Sequence, residues 1–307
     1  MQLGHNRKMS GAQCLADMLK GYGVTHVFHV PAVLRTTFAE MERRTDIKRL
    51  HVHGEKAAAY MADGYARASG KPGICMAQVI GALNLAAGLR DAWLAHAPVI
   101  AMTGGREPKT KFRKVYQEID DMPAFEPVTK FNATVDDVAR FPDMVRQAFR
   151  AAVTGCPGPV HLQFRGNEGQ IDAEEADMEP LVEPQFARLP AFRPEPDEAS
   201  VRAALKILQE ARRPVIVAGG GVRGSDAGAE LVALAEVLQI PVATSLNGKD
   251  TIPGNHPLSV GVAGTYSRES ANRVVNAAGL GADEADEIGG IDHAVGALAR
   301  IGAGHAH

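Results

Sequence analysis

Residues 51–73 read HVHGEKAAAYMADGYARASGKPG. They describe the end of a strand, a helix and an abrupt stop. Ile47, Leu50 and Val52 supply the strand. Over 55–68 strong helix formers dominate, interrupted once by Gly64. Ala58, Ala62 and Ala66 recur at helical spacing and make a small-residue face suited to close packing, within the domain or between subunits. Gly70 and Pro72 then end the helix in the usual order. Glu55 therefore stands where a strand hands over to a helix, with its carboxylate near the positive helix end. By position alone it reads as a helix-start acid, worth about 0.3–1 kcal/mol.

The same unit repeats on both sides. Residues 10–22 read as a helix with Ser10 as N-cap and an apolar stripe of Cys14, Leu15, Met18 and Leu19. A short apolar strand over 24–30 ends at Pro31, and a helix is expected over 34–44. A strand over 73–79 leads into Gln78-Val-Ile-Gly81-Ala-Leu-Asn84 and a helix over 84–96. Taken alone, Gly81 is a turn glycine that starts a helix. A strand follows over 98–103, then Gly104-Gly105 and a loop in which Gln117, by itself, is an exposed amide. Another helix (142–152), a rigid turn at Pro157-Gly158-Pro159 and a strand (160–164) complete the series. Such alternation predicts a parallel sheet covered by helices on both faces.

Residues 172–198 carry Pro180, Pro184, Pro190, Pro194 and Pro196 among many acids, without periodicity, and read as an extended linker. Beyond it a helix (199–211), an apolar strand running into Gly219-Gly220-Gly221, a helix (227–238) and a strand (240–244) make half of a doubly wound arrangement. The Gly run is not G-x-G-x-x-G, and no acid clearly ends the next strand, so packing and turn chemistry is preferred to a nucleotide site. Residues 247–267 read as a loop and 270–277 as the start of a helix.

The 307 residues suffice for two domains, and 45% apolar residues suffice for their cores. A net charge of −3 offers no electrostatic case for nucleic acid or an acidic membrane. No apolar run reaches spanning length, and residues 1–11 lack a signal core, so a cytoplasmic protein is expected. Cys14, Cys75 and Cys156 show no paired spacing and read as buried small apolar residues.

HGEKAAAYMADGYARASGKPG closely resembles the N-terminal, pyrimidine-binding domain of thiamine diphosphate enzymes of the acetolactate synthase-like group. The resemblance spans roughly residues 13–275. It implies that Glu55 is the catalytic acid, hydrogen-bonding N1′ of the cofactor's aminopyrimidine, while the cofactor carries the hard chemistry. It also implies cofactor contacts at Pro31, Gly81, Asn84 and Gln117. The Gly-x-Pro-Gly loop of the family appears here as His29-Val30-Pro31-Ala32, so only the proline matches. In the family's Ser-Gly-Pro-Gly-Ala-Thr-Asn turn, Gly81, Ala82 and Asn84 match. In its Phe-Gln-Glu segment, Gln117 matches and Tyr116 replaces Phe. In some relatives the central domain holds a flavin or other adenine nucleotide.

The family's Gly-Asp-Gly and Asn-Asn magnesium–diphosphate signature is absent from this sequence. The resemblance stops after Asn276, where an Ala/Gly-rich run begins. That change is read as a truncation with an altered reading frame. A short helix is expected at 291–301, and His305 and His307 are not read as ligands. The expectation is an α/β protein of two doubly wound parallel-sheet domains, the second incomplete. Its parts are a pyrimidine-binding domain (9–171), a linker (172–198), a partial central domain (199–278) and a tail (279–307). The implied function is decarboxylation of a 2-oxo acid and transfer of the two-carbon unit, once a diphosphate-binding domain is supplied. Oxalyl-coenzyme A, benzoylformate and sulfoacetaldehyde relatives stay open as to substrate. The alternative is a non-catalytic fragment or a partner-dependent subunit. The implied cofactor is thiamine diphosphate with magnesium whose ligands lie outside this chain. The implied partners are further copies, as homodimer or homotetramer, or a chain bringing the diphosphate domain.

Overall fold

Strands β4 (Gly73–Ala77), β5 (Val99–Gly104) and β7 (Val160–Phe164) are buried along their whole length, as central strands of a parallel sheet must be. In this computed structural model, which describes residues 7–278, they form the middle of a six-stranded sheet. The outer members are β2 (His26–His29), β3 (Lys48–His51) and β6 (Phe131–Val135). The order is β3-β2-β4-β5-β7-β6 and every neighbouring pair is parallel. Side chains alternate between faces. Ile74 and Met76 meet one core, made with Leu15 and Met18 of α1 (Gly11–Gly21), Met41 of α2 (Arg35–Arg44) and Phe149 of α6 (Phe141–Val153). Cys75 and Ala77 meet the other, made with Ala58 and Ala62 of α3 (Glu55–Ser69) and Leu85 and Leu89 of α4 (Ala82–Leu94). The first unit is therefore helix–sheet–helix, the fold class expected from the alternating elements.

Local chemistry explains the element ends. Ser10 and Gln13 form a reciprocal capping box at α1. Gly70 closes α3 in the left-handed conformation, φ 68°. The alanine face of α3 packs inside the domain. A Cβ on Gly88 of α4 would stand 2.7 Å from the Ala59 Cβ, and one on Gly73 would run into the Ala62 backbone, 2.7 Å from its carbonyl carbon. The short helix α5 (Met122–Phe125) follows the loop after β5.

Residues 172–191 hold more structure than an extended linker. β8 (Glu175–Met178) pairs antiparallel with β1 (Arg7–Ser10), and Met9, Met178 and Phe186 are buried in the first core. By compactness the chain divides after Ala191. Cys14 and Cys75 are buried, whereas Cys156 is exposed, contrary to expectation, because it lies in the turn between α6 and β7.

The second unit holds α7 (Glu198–Glu210), β9 (Ile216–Ala218), α8 (Gly220–Gly224), α9 (Gly228–Leu238), β10 (Val242–Thr244), β11 (Ser259–Val262) and α10 (Glu269–Ala277). Among the described residues its three strands are parallel, in the order β11-β10-β9. β11 lies in the stretch expected to be a loop. A small core of Ala218, Leu231, Ala235, Val242 and Ile252 holds the unit together. α7 buries none of its residues, and Ile207 on it is 69% exposed. The stretch 279–307, with the helix expected at 291–301 and with His305 and His307, lies outside the described residues. No described helix is long and apolar enough to cross a membrane.

Candidate functional site

All strands of the first sheet run the same way, so their carboxyl ends share one edge, where ligands of such sheets commonly bind. Each residue singled out from the sequence follows one of these strand ends. Glu55 opens α3 after β3, and its N-cap, Gly54, offers no side chain to compete with it. The Glu55 carboxyl is half-buried and forms no ion pair among the described residues. Its Oε2 accepts a hydrogen bond from Asn84 Nδ2 at 3.2 Å. Asn84 lies in the first turn of α4, whose N-cap is Gly81. A Cβ on Gly81 would stand 2.5 Å from Glu55 Cδ, so the carboxyl occupies the space that only glycine leaves open. The starts of two helices thus meet at one carboxyl group.

Gln117 sits with φ 60°, a strained conformation for a residue with a side chain. Its Oε1 accepts from Gln78 Nε2 at 2.9 Å and from Asn167 Nδ2 at 3.0 Å, and its Nε2 donates to the Tyr116 hydroxyl at 3.1 Å. The Asn167 carbonyl also accepts from Val79 N at 3.1 Å. Gln117 is thereby tied to the one-turn helix Val79–Gly81 that positions Gly81, although it does not hydrogen-bond Glu55. The Glu118 carboxylate ties the loop together, accepting from the backbone N–H groups of Phe112 at 2.5 Å and Val115 at 3.3 Å.

Pro31 follows β2 and lines a separate cleft of about 760 Å³ with His29, Arg35, Phe38, Glu42 and Arg49. The next residue, Ala32, has φ 67°, so the backbone takes a glycine-type conformation although the glycine is missing. Glu55 is not among the residues that line this cleft.

Residues that sequence reasoning did not single out also collect at this edge. Gln78 and Asn167 complete the amide cluster; their only sequence signal is a place just past an apolar strand. Asp121 is 1% exposed. Its Oδ1 accepts from Gln163 Nε2 at 2.6 Å, and its Oδ2 has no partner among the described residues. Burial pushes this carboxyl up from 3.8 to about 6, against the hydrogen bonds it receives. Away from that edge, near the amino end of β7, His161 is fully buried and is pulled down to about 3 by desolvation. The Asn132 Oδ1 must accept from its Nδ1–H at 2.8 Å, so its Nε2 accepts from the Thr103 hydroxyl at 2.7 Å. The ring stacks on Phe125, centroids 3.5 Å apart.

In the second unit a Cβ on Gly248 would stand 2.5 Å from the Ala218 carbonyl oxygen and 2.8 Å from the Gly219 carbonyl carbon. The glycine run after β9 thus permits a close backbone approach. His256 Nε2 lies 3.2 Å from Glu236 Oε1. Among the described residues no three His, Cys, Asp or Glu side chains converge on a metal position.

Two family models match this chain. Residues 9–124 match the thiamine pyrophosphate enzyme N-terminal TPP-binding domain, and residues 201–280 match the central domain of the same enzymes. The chain is similar to the probable acetolactate synthase large subunit of Methanocaldococcus jannaschii, with 37% identity over 87% of this chain and 45% of that protein. It is also similar to the acetolactate synthase large subunit of Corynebacterium glutamicum, with 34% identity over 86% of this chain and 42% of that protein. The isozyme 1 large subunit of Escherichia coli K12 shows 32% identity over 89% of this chain and 48% of that protein. The chain therefore spans a little under half the length of these relatives.

Proposed function

The chain belongs to the thiamine pyrophosphate enzyme family, in its acetolactate synthase-like group, and from that premise we propose that its first unit binds the aminopyrimidine of thiamine diphosphate. The reaction proposed is decarboxylation of a 2-oxo acid with transfer of the two-carbon unit, performed when a diphosphate-binding domain is supplied. One observation carries the reading: a carboxyl at a helix start, accepting from Asn84, in space that Gly81 leaves clear.

The residues fit such a group. A flat heteroaromatic ring needs a hydrogen-bonding partner that is neither sealed in an ion pair nor screened by a Cβ, and Glu55 meets both conditions. When bound, thiamine diphosphate supplies the electron sink that lets a 2-oxo acid lose carbon dioxide. With that group bound, Glu55 would be the residue that hydrogen-bonds its pyrimidine ring nitrogen. Asn84 fixes the orientation of the carboxyl by occupying Oε2, and Oε1 would be left for the ring. Gln117, held by Gln78 and Asn167, would form part of the rim. The rigid amide cluster limits reorganisation, which is how a preformed site lowers the cost of binding.

Magnesium ligands are proposed to come from outside this chain, and the central unit to hold no nucleotide. Two kinds of partner are proposed: a second copy in a homodimer or homotetramer, or a chain bringing the diphosphate domain. The location proposed is cytoplasmic. A second reading, a chain without turnover of its own, draws on its spanning less than half of its relatives.

The test is a calorimetric titration with thiamine diphosphate and magnesium. It is run on this chain with and without the remaining, C-terminal part of the Escherichia coli relative. Saturable binding is expected in the mixture. Glu55→Gln is expected to slow exchange of the cofactor's C2 proton there by about 10²-fold or more. Exchange at the unsubstituted rate would remove Glu55 from this role. Pyruvate turnover by the chain alone would eliminate the second reading.

A further inference from the structure

Cys156, His96 and Lys130 meet at the amino edge of the first sheet, opposite the Glu55 edge. Cys156 lies in the turn that enters β7, His96 two residues beyond α4, and Lys130 just before β6. The Cys156 Sγ is 3.0 Å from His96 Nδ1, and both residues are exposed. The ring is held there by backbone. His96 takes φ 54°, with its N–H on the Trp93 carbonyl at 3.2 Å, and Ala97 N donates to the Ala92 carbonyl at 2.9 Å. Lys130 Nζ donates to the carbonyls of Ala151 and Thr154, each at 2.6 Å, and its stem packs against Gly158, two residues past the cysteine. Desolvation pulls the Lys130 ammonium below the usual lysine range, and the nearby Cys156 works against that shift.

A thiol within hydrogen-bond reach of an imidazole, beside an ammonium and open to solvent, has the arrangement of an activated nucleophile. The other two thiols do not share it, since both are fully buried and desolvation pushes Cys14 up to about 12 and Cys75 further still. We propose that Cys156, with His96 as its base, is a site of covalent S-thiolation by low-molecular-weight disulfides. His96 takes the thiol proton. The Cys156 sulfur attacks one sulfur of the disulfide, the S–S bond breaks, and a new mixed disulfide forms on Cys156. The displaced thiolate takes the proton from His96 and leaves as a free thiol. The proposal does not depend on the cofactor reading, because the two sites occupy opposite edges of the sheet.

The experiment treats the full chain with glutathione disulfide at pH 7 and follows mass gain and its position by peptide mapping. One glutathione is expected on Cys156, with Cys14 and Cys75 unmodified. Cys156 in the folded chain is expected to react about tenfold faster than the same residue in urea. His96→Gly suits the left-handed backbone and so preserves the fold. It is expected to slow the reaction about tenfold, with added imidazole restoring much of the rate. A structural role for His96 would show no such rescue. An unchanged rate in His96→Gly, or modification of Cys14 or Cys75 as fast as Cys156, would overturn the proposal.

Discussion

Asp121→Asn is expected to change sign in its effect on stability between acid and alkaline pH. The folded carboxyl is raised from 3.8 to about 6, chiefly by burial. An acid with a raised folded value holds its proton longer in the native state than in the unfolded chain. The contribution of this one carboxyl to stability therefore falls as pH rises from about 4 to about 6, at up to about 1.4 kcal/mol per pH unit, and the penalty persists above that. Over the whole window it amounts to about 3 kcal/mol, of which roughly half a kcal/mol is already present at pH 4. Asparagine keeps the acceptor for Gln163 Nε2 at the Oδ1 position. It places an amide where Oδ2 now lacks a partner, at a cost of about 1–3 kcal/mol that is the same at every pH. The difference between the variant's effects at pH 8 and pH 4 thus isolates the ionisation, and it should be about 2–3 kcal/mol in favour of asparagine at pH 8. Urea unfolding read by tryptophan fluorescence suits the test, since Trp93 is the only tryptophan and lies in the same unit. An effect of Asp121→Asn that is flat with pH within about 0.5 kcal/mol would refute the reasoning.

Gly81→Ala should displace the Glu55 carboxyl and weaken thiamine diphosphate binding in the reconstituted mixture at least tenfold; calorimetry at wild-type affinity would count against the site. Gly73→Ala drives a methyl into the Ala62 backbone and should destabilise the first unit by about 1–3 kcal/mol or more, read from the urea midpoint. His161, neutral in the fold with its value pulled to about 3, should contribute a loss of stability as pH falls from about 6.5 towards 3, opposite in sign to the contribution of Asp121, because the unfolded chain binds the proton first. The difference between the wild-type and His161→Gln curves isolates that slope, and urea midpoints between pH 3 and pH 7 check it.

The sequence by itself determined what local rules govern. Helix caps and periodicities reach only from one residue to the fourth beyond it, and they are enough to start α1 after its Ser10 cap and α3 at Glu55, and to alternate strands with helices. The strand alternation then implied the parallel sheet. What lay beyond its reach were meetings between distant segments. Asn84 bonds Glu55 across 29 residues, and Asn167 bonds Gln117 across 50, only because strand order sets neighbouring helix starts and loops on one edge. The proline-rich stretch after residue 171 gave no periodic sign of β8, because a four-residue strand is defined by its pairing with β1 rather than by its own pattern. Burial of Asp121 and exposure of Cys156 were likewise decided in three dimensions: a side chain's contact with water depends on what packs against it, and composition does not record that.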